Sequence, residues 1–447
     1  MSRQRVIAIT LGIMLSLFLA SMESTVVATA MPTIAAQLGG LEWYSWVFSA
    51  YMLASTTTVP LFGKLSDIYG RRPIYAIAMG FFLIGSLLCG QAQNIQQLIA
   101  FRAVQGLGAG GLLPLAFIIV GDLFTFEQRA RMQGLFSGVW GVSSIVGPLL
   151  GGFLVDQVTW QWVFYVNLPF GLLAGALVWF GWIDKPRPSG ATRPAVDYAG
   201  AALLTVGIVA LLLGLFELGT PTGWALLGAA ALLFAALGWV EMRAADPVLP
   251  LALFRDRMFA VACANGLLAG WSLFGGVTFV PLFLQAVRGS SATAAGATLA
   301  PLLLGWVGSS IVGSRLLLRI GYRTLALIGM ALLTLGSFLM TLNDAQTPQL
   351  QLLAALTMMG VGMGLTIPSF LIAVQSTVPR SSLGSATSTL QFSRSIGGTL
   401  GVSVMGAALS ARLAAGLAAA GLDPQAVSVD ELLNPVAPSG AAPQIDG

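Results

Sequence analysis

The sequence predicts an all-α polytopic membrane protein, and three observations carry that prediction. The 447 residues are 56% hydrophobic, with a mean hydropathy of +0.86. Only 9% are Asp, Glu, Lys or Arg, against about 25% in soluble domains, so there is too little charge to clothe a soluble surface. The apolar residues also gather into runs of about 20, the length that crosses a ~30 Å bilayer core as a helix.

The same composition excludes several functions. There is no histidine, which rules out a His-ligated zinc or iron site and a Ser-His-Asp triad. Cys89 and Cys263 lie in separate apolar runs and form neither a disulfide framework nor a metal spacing. No metal or organic cofactor is expected. The chain lacks a GxxxxGK[ST] sequence, so ATP hydrolysis is not expected. The basic residues stand singly or in pairs between apolar runs, without the stripe that binds nucleic acid.

Thirteen spans follow along the chain, at about residues 6–31, 43–62, 74–91, 97–120, 132–155, 162–183, 198–218, 223–241, 258–285, 294–318, 322–342, 349–374 and 383–409. The first is preceded by Arg3 and Arg5 and continues apolar to about Ala36, too long for the apolar region of a cleaved leader. Residues 1–183 form an N-terminal bundle of six spans. Residues 184–257 hold basic, Pro-containing connectors around two extra spans, 258–421 a second bundle with five visible spans, and 422–447 a polar tail. With the N-terminus in the cytoplasm, sixteen of the 21 basic residues fall in cytoplasmic segments, as the positive-inside rule requires. Trp43, Trp46, Trp160, Trp162 and Trp224 fit an interfacial aromatic belt.

A repeat supports the two-bundle division. Gly63 to Arg72 (GKLSDIYGRR) follows the second span, and Ser314 to Arg323 (SRLLLRIGYR) follows the tenth. A basic residue, Leu, Gly and Arg recur in register, with Leu318 in the place of Asp67. Gly70 permits the reversal of the first loop, and Asp67 can accept hydrogen bonds from a helix N-terminus. Topology-setting charge alone is the blander reading of this loop.

Glu23 is the strongest candidate functional residue, because a carboxylate in mid-membrane is costly and usually functional. At 1.5 Å per residue it lies about 24 Å from the cytoplasmic face, and Arg102 of the fourth span about 23 Å. The depths match within a turn, so the two are expected to pair, with Gln105 one turn along from Arg102. Held close, Arg102 keeps Glu23 ionised; separated from it, a desolvated carboxyl favours its protonated form. Such a pair can load and release one proton. A purely structural ion pair is the alternative. Arg394 lies within the thirteenth span and either lines a cavity or forms a structural pair. Trp140 and Phe274 could meet an apolar substrate, with packing or lipid contact as the alternative, and Met22 and Thr25 flank Glu23 on a candidate cavity wall.

The motifs together resemble a known family. Gly63 to Pro73 is similar to the signature loop of the major facilitator superfamily. Arg102-Ala-Val-Gln105-Gly-Leu-Gly108 resembles its RxxQGxG pattern, and Gly147-Pro148-Leu-Leu-Gly151-Gly152 resembles the GPxxGG motif of its antiporters. Met22 to Pro32 and Trp160 to Gly171 are similar to segments of the fourteen-helix drug:proton antiporters, with Glu23 at the usual Asp. The resemblance implies a major facilitator fold, two pseudo-symmetric helix bundles plus two inserted linker helices. That family's fourteenth helix has no counterpart among these spans, so Gly266, Gly270, Gly275 and Gly276 are expected to face lipid or another protomer. The oligomeric state is left open.

The resemblance further implies a proton-coupled exporter of lipophilic or cationic small molecules in the bacterial cytoplasmic membrane, working by alternating access. Its partners would be the lipid bilayer, the small-molecule substrate and protons, and it would not be an enzyme. Asp67 would meet the start of the thirteenth span, about Ser381 to Thr387, as a cytoplasmic latch. Arg71, Arg72 and Asp122 would lie beside it, with a solvated charge as the blander reading of Asp122. Pro148 and its neighbouring glycines would bend and seal the fifth span. An exporter of lipids or siderophores, a nutrient importer and a non-transporting scaffold are the alternatives.

Overall fold

The computed structural model describes residues 2–39, 43–183, 197–244, 247–249, 251–290 and 292–419. The predicted linker over 184–196 and the tail over 422–447 lie outside them. Every predicted span coincides with helix. In chain order these are α1 (Arg3–Leu38), α2 (Tyr44–Tyr69), α3 (Arg71–Gly90), α4 (Ile95–Leu123), α5 (Phe126–Gln157), α6 (Trp162–Tyr165), α7 (Asn167–Gly181), α8 (Tyr198–Phe216), α9 (Pro221–Glu241), α10 (Arg257–Arg288), α11 (Ala292–Ala297), α12 (Ala300–Thr341), α13 (Gln349–Thr377) and α14 (Leu383–Ala419). The sixth span is divided between α6 and α7. The tenth and eleventh run together as α12, interrupted at Gly321.

Helix starts follow their capping residues. The Asn94 side chain accepts from Gln97 N at 2.9 Å, Asp197 from Gly200 N at 2.7 Å and Asp256 from Met258 N at 2.8 Å. Thr125 and Gln128 form a capping box at the start of α5. Each satisfies an amide that a helix leaves unpaired in its first turn.

The repeat read from the sequence is visible in the backbone. Gly70, between α2 and α3, has φ 97° and ψ 162°, and Gly321 has φ 78° and ψ 161°. These are conformations that side-chain-bearing residues rarely adopt. The two loops therefore turn in the same way, one in each half.

In the first half α1 packs against α5 and α7, α2 against α4, and α3 against α4 and α7. Small residues on α4 set the spacing: Gly106 and Gly110 face α2, while Gly108 faces α3. Gly85 of α3 lies so near α4 that an added Cβ would sit 2.6 Å from the Cβ of Gln105. Gly85→Ala is therefore expected to lower stability by about 1–3 kcal/mol, the usual cost of overpacking, and to displace Gln105. Thermal unfolding in detergent measures it, and an unchanged midpoint counts against the tight α3–α4 contact.

In the second half α10 packs on α14, and α12 on α13. Gly266 and Gly270 meet the α14 backbone and Gly275 meets Met405. These glycines are thus covered by α14 rather than presented to lipid, because the face they occupy is the α10–α14 contact. Gly276 is half-buried against Met359 and Leu302. The halves join along two seams, α2 with α14 and α5 with α12. The pair α8–α9 lies over the first seam: Leu204, Ile208 and Leu212 of α8 cluster with Leu53 and Leu61 of α2 and with Phe392, Ile396 and Leu400 of α14. Trp160 departs from the expected belt. It is buried, edge-on to Phe164 at 6.3 Å, in the core of the first half, whereas Trp43, Trp162 and Trp224 are exposed.

Candidate proton site and latch

The carboxyl of Glu23 on α1 and the guanidinium of Arg102 on α4 are both 1% exposed. Arg102 Nη1 donates to Glu23 Oε1 at 2.7 Å and to Gln105 Oε1 at 2.7 Å. Its guanidinium lies 4.1 Å from the ring centre of Tyr51 on α2, and its Nε donates to Val47 O at 3.4 Å. Asn167, the first residue of α7, donates from Nδ2 to Glu23 Oε2 at 2.7 Å and to Ser86 Oγ of α3 at 3.2 Å. Gln105 Nε2 donates to the same Ser86 Oγ at 2.7 Å. Each oxygen of the carboxylate thus has a donor, and α1, α2, α3, α4 and α7 all contribute. A buried ion pair persists only with such hydrogen-bond support.

The structure brings together Glu23, Arg102 and Gln105, the three residues expected from the sequence to act jointly. It adds Asn167, Ser86 and Tyr51, which sequence reasoning missed. All three are uncharged, and their only signal was a polar atom within an apolar span.

The second constellation lies at the end of the molecule where α2 stops. Asp67 Oδ1 accepts from Gly384 N at 2.9 Å, and Oδ2 from Ser385 N at 2.8 Å and Ser385 Oγ at 3.0 Å. A carboxylate at the first turn of α14 satisfies its unpaired amides and its dipole. Arg71 holds Asp67 from behind, with Nη1 at 2.6 Å from Oδ1, and reaches Asp122 Oδ2 with Nε at 2.8 Å. Asp122 is therefore an ion-pair partner rather than a solvated charge. Gly63 allows the approach, since a Cβ there would collide with Ser388 of α14. Arg72 points elsewhere, stacking over Trp179 of α7 at 4.0 Å.

Two residues not expected from the sequence complete this closure. Arg129 of α5 donates from Nη1 to Gln375 O of α13 at 3.0 Å, and Gln375 Nε2 donates to Phe117 O of α4 at 3.0 Å. Among the described residues, the hydrogen bonds between the halves run from mid-span, at Thr56 and Ser395, to this end.

Asp67→Asn is expected to weaken this contact by about 1–3 kcal/mol, the range for charge-assisted hydrogen bonds and for couplings between sites. Spin labels on the Asp67 ends of α2 and α14 should report a new population at longer distance. A distribution matching wild type counts against a latch.

The remaining expected residues are dispersed. Gly147 packs against Thr25, and Gly151 lies 2.9 Å, as an added Cβ, from Val26 O; both seal α1 against α5. Gly152 has open space instead, and α5 continues as helix through Pro148. Met22 is buried and Thr25 Oγ1 donates to Met22 O at 2.8 Å, so both belong to the α1–α5 contact. Trp140 packs on Trp306 with ring centres 6.2 Å apart, and Phe274 covers Gly398. Arg394 borders a narrow cleft with Asn265 and Gln391. These five do not share one cavity.

The chain is thus a polytopic helical protein of two halves, with a buried ion pair in the first and a carboxylate of one half hydrogen-bonded to the first turn of a helix in the other. Residues 13–402 match the Major Facilitator Superfamily, and the chain belongs to it. Its family is thus one of transporters rather than enzymes. The chain is 39% identical over 418 residues to the multidrug transporter protein MdtP of Bacillus subtilis (strain 168), an alignment covering 92% of this chain and 76% of that one. It is also 39% identical over 406 residues to multidrug resistance protein 3 of the same organism, covering 89% and 78%. The solved structure of the human organic anion transporter MFSD10 superposes with a TM-score of 0.65 at 17% identity, covering 90% of this chain and 93% of that one. That likeness is one of fold.

Proposed function

We propose that the chain is a proton-coupled antiporter that exports lipophilic or cationic small molecules, of the fourteen-helix drug:proton type, by alternating access. The observation that carries this reading is the buried Glu23–Arg102 pair, the one place among the described residues where an acid lies far from a helix end. Similarity to two multidrug transporters supports the substrate class. The Asp67 end is the cytoplasmic one, on the distribution of basic residues, and the latch holds it shut while the carrier faces outward.

Proton loading follows from the hydrogen bonds. With Glu23 ionised, Asn167 Nδ2 donates to Oε2, while Asn167 Oδ1 is buried without a partner. A proton arriving on Oε2 turns that atom into a donor. Rotation of the Asn167 amide then presents Oδ1 as acceptor, so one side chain serves both protonation states. Withdrawal of Arg102 from Glu23 during the conformational change favours uptake of the proton, and its return expels it.

The test uses purified protein in vesicles with a pH-sensitive dye inside. Addition of a lipophilic cationic substrate on the cytoplasmic side should move protons in the opposite direction to substrate. Substrate flux with no accompanying proton movement would refute the coupling; no flux of any lipophilic compound would refute the substrate class.

A further inference from the structure

The two seams between the halves are chemically unlike. At the α2–α14 seam Asp67 provides an anion to the opposite half, and α8 covers the outside. The α5–α12 seam is also closely packed, though less tightly. A Cβ on Gly134 would lie 3.0 Å from Ser314 Oγ, Ser137 Oγ donates to Ser310 Oγ at 2.5 Å, and Gly141 faces Val307. The repeat places Ser314 in register with Gly63, and Leu318 with Asp67. This seam therefore has an apolar residue where the other has its acid. Its antiparallel register sets Arg131 of α5 level with Leu318, the place that Ser385 holds opposite Asp67.

Beside Leu318 opens a cavity of about 1010 Å³, lined by Arg131, Arg315 and Arg319 together with Phe18, Leu135 and Val142. None of its lining comes from α4, α10 or α13; it opens between α1, α5 and α12, outside the α4–α13 contact, and the exposed Leu135 and Val142 give it an apolar wall suited to a bilayer-facing cleft. All three arginines are exposed, and among the described residues none forms an ion pair. Arg131 stands ~8 Å from the start of α5, with Arg315 ~9 Å and Arg319 ~3 Å from Gly321 at 1.5 Å per residue. The cations thus sit at headgroup depth, while Leu135 and Val142 continue the cleft toward mid-membrane.

We propose that this cleft binds an anionic phospholipid of the surrounding bilayer. Its phosphate and acidic headgroup lie among Arg131, Arg315 and Arg319, and an acyl chain runs along Leu135 and Val142. Basic pockets between membrane helices hold acidic headgroups in this way. The lipid supplies to this seam the negative charge that Asp67 supplies to the other. The cavity is much larger than a free phosphate requires, and its apolar wall has no use for one. The inference does not depend on what the chain transports.

Native mass spectrometry of the purified full chain, offered phosphatidylglycerol or phosphatidylcholine, tests it. Wild type should retain phosphatidylglycerol preferentially. Combined Arg131→Gln, Arg315→Gln and Arg319→Gln should lose that retention by roughly fivefold per arginine. Combined Arg255→Gln, Arg323→Gln and Arg380→Gln removes the same charge from the same end but outside the cleft, and should behave as wild type. Equal loss in both variants means diffuse surface charge and overturns the site, as does equal retention of the two lipids. Stabilisation by inorganic phosphate matching that by phosphatidylglycerol overturns the lipid in favour of a free anion. Should the cleft variant fail to fold, a fluorophore on Val142→Cys with all arginines intact decides. Bromine-labelled phosphatidylglycerol should quench it more than bromine-labelled phosphatidylcholine, and equal quenching overturns the proposal.

Discussion

Glu23→Gln is expected to abolish substrate accumulation driven by a pH gradient in reconstituted vesicles, while leaving membrane insertion and downhill exchange in place. Glutamine is close to glutamate in shape; its oxygen can still accept from Arg102 and its amide nitrogen can donate to Asn167 Oδ1 once that amide rotates, but it carries no titratable proton. On the proposed cycle the loss should exceed tenfold, because no other acid among the described residues lies far from a helix end. Gradient-driven accumulation at the wild-type rate would show that the proton travels by another path. Retained binding of substrate to the variant would separate loss of coupling from loss of the cavity.

Arg102→Ala should be the most destabilising single change in the first half. It strips Glu23 Oε1 and Gln105 Oε1 of their shared donor and removes the cation stacked on Tyr51. Breaking one side of a buried pair costs about 3–5 kcal/mol, since the survivor is left charged and unpaired. A neutral carboxyl is far better tolerated in such a place, so the deficit should be largest in alkaline buffer and shrink in acid. Adding Glu23→Gln to Arg102→Ala should restore much of the stability at alkaline pH. Thermal unfolding of the four proteins across pH measures this, and additive losses with no pH dependence would mean that the two residues do not interact energetically.

The helices were legible because their length is set by the bilayer, and the repeat because its glycines are needed for the turn. Glu23 and Arg102 could be paired from depth alone, since charge within a span is rare and rise per residue is constant. Rotation about the helix axis is another matter. Trp160 and Gly266 lie at reasonable depths, yet the first turns into the core and the second into α14, and hydropathy does not distinguish these directions. Asn167, Ser86 and Gln375 went unread because an uncharged amide or hydroxyl in a span is inexpensive enough to be common. Their importance comes from neighbours distant in sequence, as with Gln375 reaching Phe117 O.

That Glu23 is the one acid far from a helix end among the described residues also bears on how the membrane voltage is used. Through Glu23 the proposed carrier can hand over one proton per cycle. Exchanged for a neutral cargo, that proton carries one net charge across the membrane, a gain of about 2.3 kcal/mol per 100 mV. Exchanged for a monovalent cation it carries none, and only the difference in proton concentration drives the cycle. The same protein would therefore be an electrical device for one class of compound and an electrically silent one for the other, with no change in any residue.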